Sequence, residues 1–241
     1  PDFRQTNIIR ELIGQGTGGF TEGLANRIVV PLTGASAAND HVLGHELVHA
    51  FQYSIIQSRR MGLRSAQRIP LWFIEGMAEY LSRGRHAPRT TMWLRDALLH
   101  EDLPNITQLS RNPRYFPYRY GHALWAYIGG RWGDDVIELL YLAVLARGLN
   151  AGVKKALGIG PDSLSAQWRA AVESTFTPAV ARRTPPDSLG RLIPAGAGEL
   201  SLAPALSPDG SRIAYVSRAG VFSIDLYIAD TGTCNILRKL T

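Results

Sequence analysis

A single cysteine, Cys234, among 241 residues leaves no partner for an internal disulfide and no thiolate cluster for a structural zinc site. Lysine is nearly as scarce. Lys154, Lys155 and Lys239 stand alone, so the formal charge of +6 and the pI near 9.7 rest on arginines scattered along the chain. Scattered arginine is not the clustered basic stripe that a nucleic-acid partner needs, and no such partner is expected. No apolar run approaches the roughly 20 residues needed to cross a bilayer, so no membrane span is expected. The opening Pro1-Asp2-Phe3-Arg4 lacks the apolar segment of a signal peptide. With no initial Met, the chain is expected to be cut from a longer protein. At 45% hydrophobic it can bury one large core, or one and a half.

What the chain does hold is one chemically loaded stretch, Val42-Leu43-Gly44-His45-Glu46-Leu47-Val48-His49-Ala50-Phe51. On a helix, the His-Glu-x-x-His pattern sets His45 and His49 at i and i+4. Both rings then leave one face about a turn apart and can grip one metal ion. Glu46 sits beside that face, able to act on a water there without taking a ligand position. The uncharged neighbours imply a helix buried beneath a cleft. Ser36 or Asn39 is expected to cap it, and it should run to about Ser58, where Arg59 and Arg60 meet its negative end.

A catalytic zinc takes three protein ligands and keeps one open position, so a third ligand is required. Glu75 is the first acidic residue after His49, within Leu71-Trp72-Phe73-Ile74-Glu75-Gly76-Met77-Ala78-Glu79-Tyr80. Glu79 follows one turn on, placed to accept the free ring N–H of a ligand histidine. Pro70 suits the first turn of this second helix, which should stop near Gly84. His41, a turn before His45, is expected at the helix entry rather than among the ligands. His86 and His100 have no ligand-spaced partner.

These two motifs together resemble the gluzincin branch of the zinc metallopeptidases, the thermolysin-like enzymes whose second motif reads Asn-Glu-Gly-Phe-Ala or a near variant. The likeness is strongest to bacterial peptidase MA-like domains, with Trp-x-x-Glu-Gly-x-Ala-Glu-Tyr. The resemblance implies an α+β, thermolysin-like zincin fold with a small N-terminal sheet, its edge strand exposed to the cleft, and a mostly helical C-terminal lobe. It implies one Zn²⁺ held by His45, His49 and Glu75, with Glu46 as general base, Glu79 behind the ligands, and a peptide or protein substrate. In such enzymes the strand before the metal helix pairs with extended substrate, which here points to Ile28, Val29 and Val30 within Ile28–Leu32. Pro31, unable to donate to a ladder, suits an edge. A Tyr or His beyond the second motif donates to the developing oxyanion. Tyr120 is the first choice within Tyr118-Arg119-Tyr120-Gly121-His122, with Tyr118 and His122 as alternatives. The zinc aminopeptidases of this branch hold a free amino terminus with Gly-x-Met-Glu-Asn. That motif is missing here, which favours an endopeptidase. The rival reading is an inactive metallopeptidase-like scaffold for binding, and a zinc hydrolase of non-peptide substrates is a third.

The remaining segments set the frame. Asn7–Ile13 reads as a strand or short helix. Gly14-Gln15-Gly16-Thr17-Gly18-Gly19 formally satisfies Gly-x-Gly-x-x-Gly, but no helix follows it and no Lys-Ser/Thr completes a phosphate loop, so a loop is expected. Thr90–His100, Asp134–Arg147, Asn150–Leu157 and Asp162–Phe176 carry helical spacing. A linker over 181–198 separates a domain at 1–180 from a segment of period 2 at 199–241. There Leu206-Ser207-Pro208-Asp209-Gly210 and Asp225-Leu226-Tyr227 resemble one blade of a TolB-like β-propeller. That resemblance implies a larger protein continuing past residue 241, a possible protein partner through the propeller, and a secreted, periplasmic or envelope location.

Overall fold

The computed structural model describes residues 18–23, 25, 27–59, 68–184, 186–190, 200–218 and 223–241. The element expected at Asn7–Ile13, most of the glycine-rich stretch and much of the expected linker lie outside them. The chain divides into two units, meeting between Arg182 and Arg183. The architecture is α+β: a mainly helical first unit with one hairpin, then a small antiparallel sheet.

In the first unit, β1 (Phe20–Glu22) and β2 (Arg27–Val29) form an antiparallel hairpin, with Phe20 opposite Val29 and Thr21 opposite Ile28. β2 is shorter than the Ile28–Leu32 strand expected and stops at Val29. The next residues, Val30 and Pro31, leave the ladder, and Pro31 has no N–H to continue it. Helix α1 (Ser36–Ser58) then begins without either expected cap. Asn39 instead accepts from the Thr33 backbone N–H at 2.9 Å and hydroxyl at 2.8 Å, and donates back to the Thr33 carbonyl. Nor is α1 buried all round. Its inward face carries His45, Glu46, Gln52 and Ile56, while Leu43, Leu47 and Phe51 are exposed on the other.

Helix α2 (Leu71–Arg83) carries the second motif and buries Trp72, Phe73, Gly76, Met77, Ala78, Glu79 and Tyr80. Pro70 is its N-cap, and Gly84, at φ 73°, ends it. There follow α3 (Pro88–Leu99), α4 (Ile106–Arg111), α5 (Pro117–Trp132), α6 (Val136–Arg147), α7 (Leu149–Leu157) and α8 (Pro161–Ala181). Their common core is built on Trp72, Phe73, Leu124, Trp125, Tyr141, Leu164 and Trp168, all almost wholly buried. Two of its indoles are paired: Trp125 Nε1 donates to the Phe73 carbonyl at 2.8 Å and Trp72 Nε1 to Ser110 Oγ at 2.9 Å.

The crossing of α2 and α5 positions the site. Gly76 and Gly121 face one another so closely that a methyl on either would overlap backbone of the opposing helix. Two helices can approach this far only where neither has a Cβ at the contact. The Glu75 and Tyr118 side chains are thereby brought to a common cavity.

In the second unit, after a single turn α9 (Pro186–Leu189), strands β3 (Ser201–Leu206), β4 (Arg212–Ser217), β5 (Asp225–Asp230) and β6 (Ile236–Lys239) form a meander in sequence order. Its small core is Tyr215, Tyr227 and Ala229, with Ile213 against them. The Pro-Asp-Gly turn between β3 and β4 is tied by Asp209, which accepts from the hydroxyls of Ser207 and Ser211 at 2.6 and 2.8 Å, and Gly210 takes φ 70°.

Candidate metal centre

His45 and His49 leave the inward face of α1 one turn apart, as their spacing requires, and α2 crosses over them with Glu75. Three atoms converge: His45 Nε2 and Glu75 Oε2 at 3.1 Å, His49 Nε2 and Glu75 Oε2 at 3.2 Å, and the two Nε2 atoms at 3.1 Å. Hydrogen bonding alone accounts poorly for such a triangle, because two ring nitrogens and an acceptor-only carboxylate oxygen meet at one point. A tetrahedral ion with bonds of about 2.0–2.1 Å wants its ligand atoms about 3.3 Å apart. The donor set, two imidazoles and one carboxylate with only protein on their far sides, fits a divalent cation.

The outer nitrogens of both rings have partners. His49 Nδ1 faces Gln52 Oε1 at 2.8 Å, and the Gln52 amide donates to the Ile74 carbonyl at 3.2 Å. His45 Nδ1 lies 3.3 Å from Glu79 Oε1, within ion-pair reach though poorly aligned for a hydrogen bond. These contacts turn each Nε2 toward the triangle, the arrangement by which neighbours usually orient metal-binding histidines. Glu79 thus stands where the second motif placed it, while the role of Gln52 was not foreseen; its i+3 spacing from His49 was the available signal.

Among the described residues a second group, His41, His45 and Glu79, also has donor atoms close together. It makes a poor cation site. Glu79 Oε1 takes a hydrogen bond from His41 Nε2 at 3.0 Å, and Glu79 Oε2 is held by Arg119 Nη1 at 2.7 Å and Arg83 Nε at 3.1 Å. Arg83 also donates to His41 Nδ1 at 2.7 Å. Two guanidinium groups already supply the positive charge there, and a further ion would be repelled. His41 therefore does more than open the helix: it helps to clasp Glu79.

The electrostatics of the uncomplexed side chains follow from these contacts. Burial alone would push Glu75 up, but the hydrogen bonds from His45 and His49 outweigh it and leave its carboxyl at about 2. Burial would push His45 down, yet Glu75 and Glu79 beside it raise it to about 9. Glu79 is depressed in the same way: burial is overcome by His41, His45 and Arg119.

Glu46 is buried and shares a cavity of about 200 Å³ with both histidines, Glu75 and Tyr118. The Thr21 hydroxyl lies 2.7 Å from Glu46 Oε2 and 2.9 Å from the Glu46 carbonyl oxygen, tying β1 to α1. That cavity is lined by Phe20 and Thr21 of β1. Val30 lines a separate recess with Leu32 and Leu43. Of the strand residues named from sequence, Ile28 and Val29 lie on β2, across the hairpin from the strand that faces the site.

The tyrosines also separate. Tyr118 stacks on His45, with centroids 5.9 Å apart, and its hydroxyl is raised by burial and by the neighbouring Glu75. Tyr120, the first choice from sequence, is packed away between Trp93 and Tyr115, its hydroxyl pushed up to about 12 by burial and by Asp102. Two residues along a helix is a rotation of about 200°, so only one of the pair can face the cavity. His122 is turned elsewhere, its Nε2 pairing with the Gly84 carbonyl at 2.8 Å. Comparison of the chain with family models, curated proteins and solved structures finds no match.

Proposed function

We propose that the first unit is a zinc-dependent peptidase, an endopeptidase of thermolysin-like architecture. The observation that carries this reading is the convergence of His45 Nε2, His49 Nε2 and Glu75 Oε2 within 3.1–3.2 Å, with Glu46 on the same cavity. Zinc suits two imidazoles, one carboxylate and one open position better than calcium or magnesium, which prefer all-oxygen shells.

Held by His45, His49 and Glu75, such an ion would supply Lewis acidity and would make a water acidic near neutral pH. Glu46 would accept a proton from the attacking water and return it to the leaving amine. Thr21 holds Glu46 in place for this transfer. The Tyr118 hydroxyl, kept protonated by its surroundings, donates to the carbonyl oxygen as negative charge develops; one such donor is typically worth about 3 to 4 kcal/mol. Glu79 and Gln52 keep the two imidazoles turned inward throughout.

For the second unit, we read the four-stranded meander as one blade of a β-propeller. Its sequence-order topology supports this, as do Leu202, Leu206, Ile236 and Leu237, exposed apolar residues of a kind that neighbouring blades would cover.

Elemental analysis and a generic peptide library test the peptidase reading together. One zinc per chain and cleavage abolished by a chelator are expected, and Glu46→Gln should keep the zinc and lose turnover. Full cleavage by Glu46→Gln, or zinc-loaded protein that cuts no peptide, would refute it.

A further inference from the structure

Four rings run in series from the surface to a candidate metal ligand. Trp93 on α3 and Phe116 at the start of α5 have centroids 5.5 Å apart, Phe116 and Tyr118 5.2 Å, and Tyr118 and His45 5.9 Å. Their planes are inclined by only 34°, 29° and 21° between successive members, so the series presents flat faces rather than edges. The inner end is covered, but Trp93 remains 36% exposed and Phe116 39%. Tyr120 backs the Trp93 ring edge-on at 6.0 Å, fixing it from the core side. Two large aromatics in contact with each other and with solvent, at the rim of a site, offer an apolar surface to a ligand.

Phe116 and Tyr118 also wall a cavity of about 350 Å³, together with Gly18, Gly19 and Val42, that reaches Glu46 and His45. Of the two carboxylates in its lining, Glu79 is already paired, both oxygens being engaged by His41, His45, Arg83 and Arg119. The other, Glu46, takes the Thr21 hydroxyl and belongs to the proposed reaction. Phe116, Tyr118, Val42, Gly18 and Gly19 give the ligand an aromatic and aliphatic wall.

We infer that the Trp93–Phe116 rim and the cavity beneath it form a specificity subsite for an aromatic side chain of the peptide substrate. This rests on the peptidase reading. A planar side chain entering over Phe116 continues the ring series by offset stacking, which an aliphatic side chain matches in area but not in geometry.

The test uses fluorescent decapeptides of Ala and Gly in which one position at a time is Phe, Leu, Lys or Glu. Each is titrated into zinc-loaded full-length Glu46→Gln and followed by anisotropy. At one position Phe should bind on the order of tenfold more tightly than Lys or Glu, and more tightly than Leu. Phe116→Ala and Trp93→Ala should each collapse that ratio without changing zinc content, while Phe116→Tyr, which keeps the ring, retains it. Ratios between peptides cancel any general loosening of Tyr118. Equal binding of the four peptides, no binding of any, or a preference that survives both alanine variants overturns the subsite. Cleavage of the same peptides by the wild type separates the two claims. Chelator-sensitive cleavage without aromatic preference removes the subsite and leaves the peptidase, whereas Phe-selective binding without cleavage removes the peptidase and leaves the aromatic-selective surface.

Discussion

Tyr118 and Tyr120 differ by two positions and face opposite sides of α5, so exchanging their hydroxyls for hydrogen separates the proposed donor from a packed core residue. Tyr118→Phe should lower kcat by about 10²- to 10³-fold with zinc content unchanged, and Tyr120→Phe should leave kcat within a few-fold. Steady-state kinetics with parallel elemental analysis reads both. The metal-free protein carries a second signature at this scale. His45 is raised from 6.5 to about 9, so its contribution to stability is present in full below about 6.5 and lost as pH rises toward 9. Glu75 is lowered from 4.5 to about 2, so its contribution is present above about 4.5 and lost as pH falls toward 2. Chelator-treated protein should therefore gain most from this pair between about pH 4.5 and 6.5, in melting curves recorded across pH. The shared face of His45 and His49 was legible in the chain because i and i+4 spacing on a helix is a local property, whereas the approach of Glu75 depends on how α2 packs on α1. Gln52 and Arg119 were less legible: amide and guanidinium side chains occur all over surfaces, and only the packing of α1, α2 and α5 shows what these two reach.

Among the elements, the α2–α5 crossing is the contact on which the site depends. A methyl at Gly76 or Gly121 would overlap backbone, which cannot give way as a side chain tip can. Gly76→Ala and Gly121→Ala should each lower stability by about 1 to 3 kcal/mol in denaturant titrations, and weaken zinc retention because Glu75 moves with α2. Ala substituted at Gly130 on the same α5, where nothing lies within 4 Å of an added methyl, should be neutral or slightly stabilising. Several helices were read from their spacing, and α2 from Pro70 near its start; Pro88, Pro117 and Pro161, at the starts of three more, were signals left unused. The short α4 carried a readable sign too, Asn105 followed by Gln108, whose reciprocal bonds form a capping box. The hairpin was read less well. Sequence favoured the apolar run Ile28-Val29-Val30, whereas the cavity is lined by Phe20 and Thr21 of a three-residue strand following two glycines, too short for a periodic signal.

At the scale of the whole chain, the division between Arg182 and Arg183 predicts that a chain ending at Arg182 retains one zinc and its own melting transition. The complementary change lies in the second unit. Asp209 is held at about 2 by the hydroxyls and backbone N–H around it, so the turn it ties is supported above about pH 4 and released as pH falls toward 2. Asp209→Ala should lower the melting temperature of the second unit while zinc content stays at one per chain, as calorimetry and elemental analysis would read. Among the described residues no helix is long and apolar enough to cross a membrane, in line with the lack of long apolar runs. Taken alone, the sequence determined the residue types, their helical spacing and the change of period from the helical segments to the strands after residue 199, since each depends only on neighbours along the chain. Which tyrosine meets His45, which strand lines the cavity, and how Trp93 comes to continue the ring series were decided by the tertiary structure. These follow from helices meeting at Gly76 and Gly121 and from side chains dozens of residues apart, and no local pattern encodes the angle at which two helices cross.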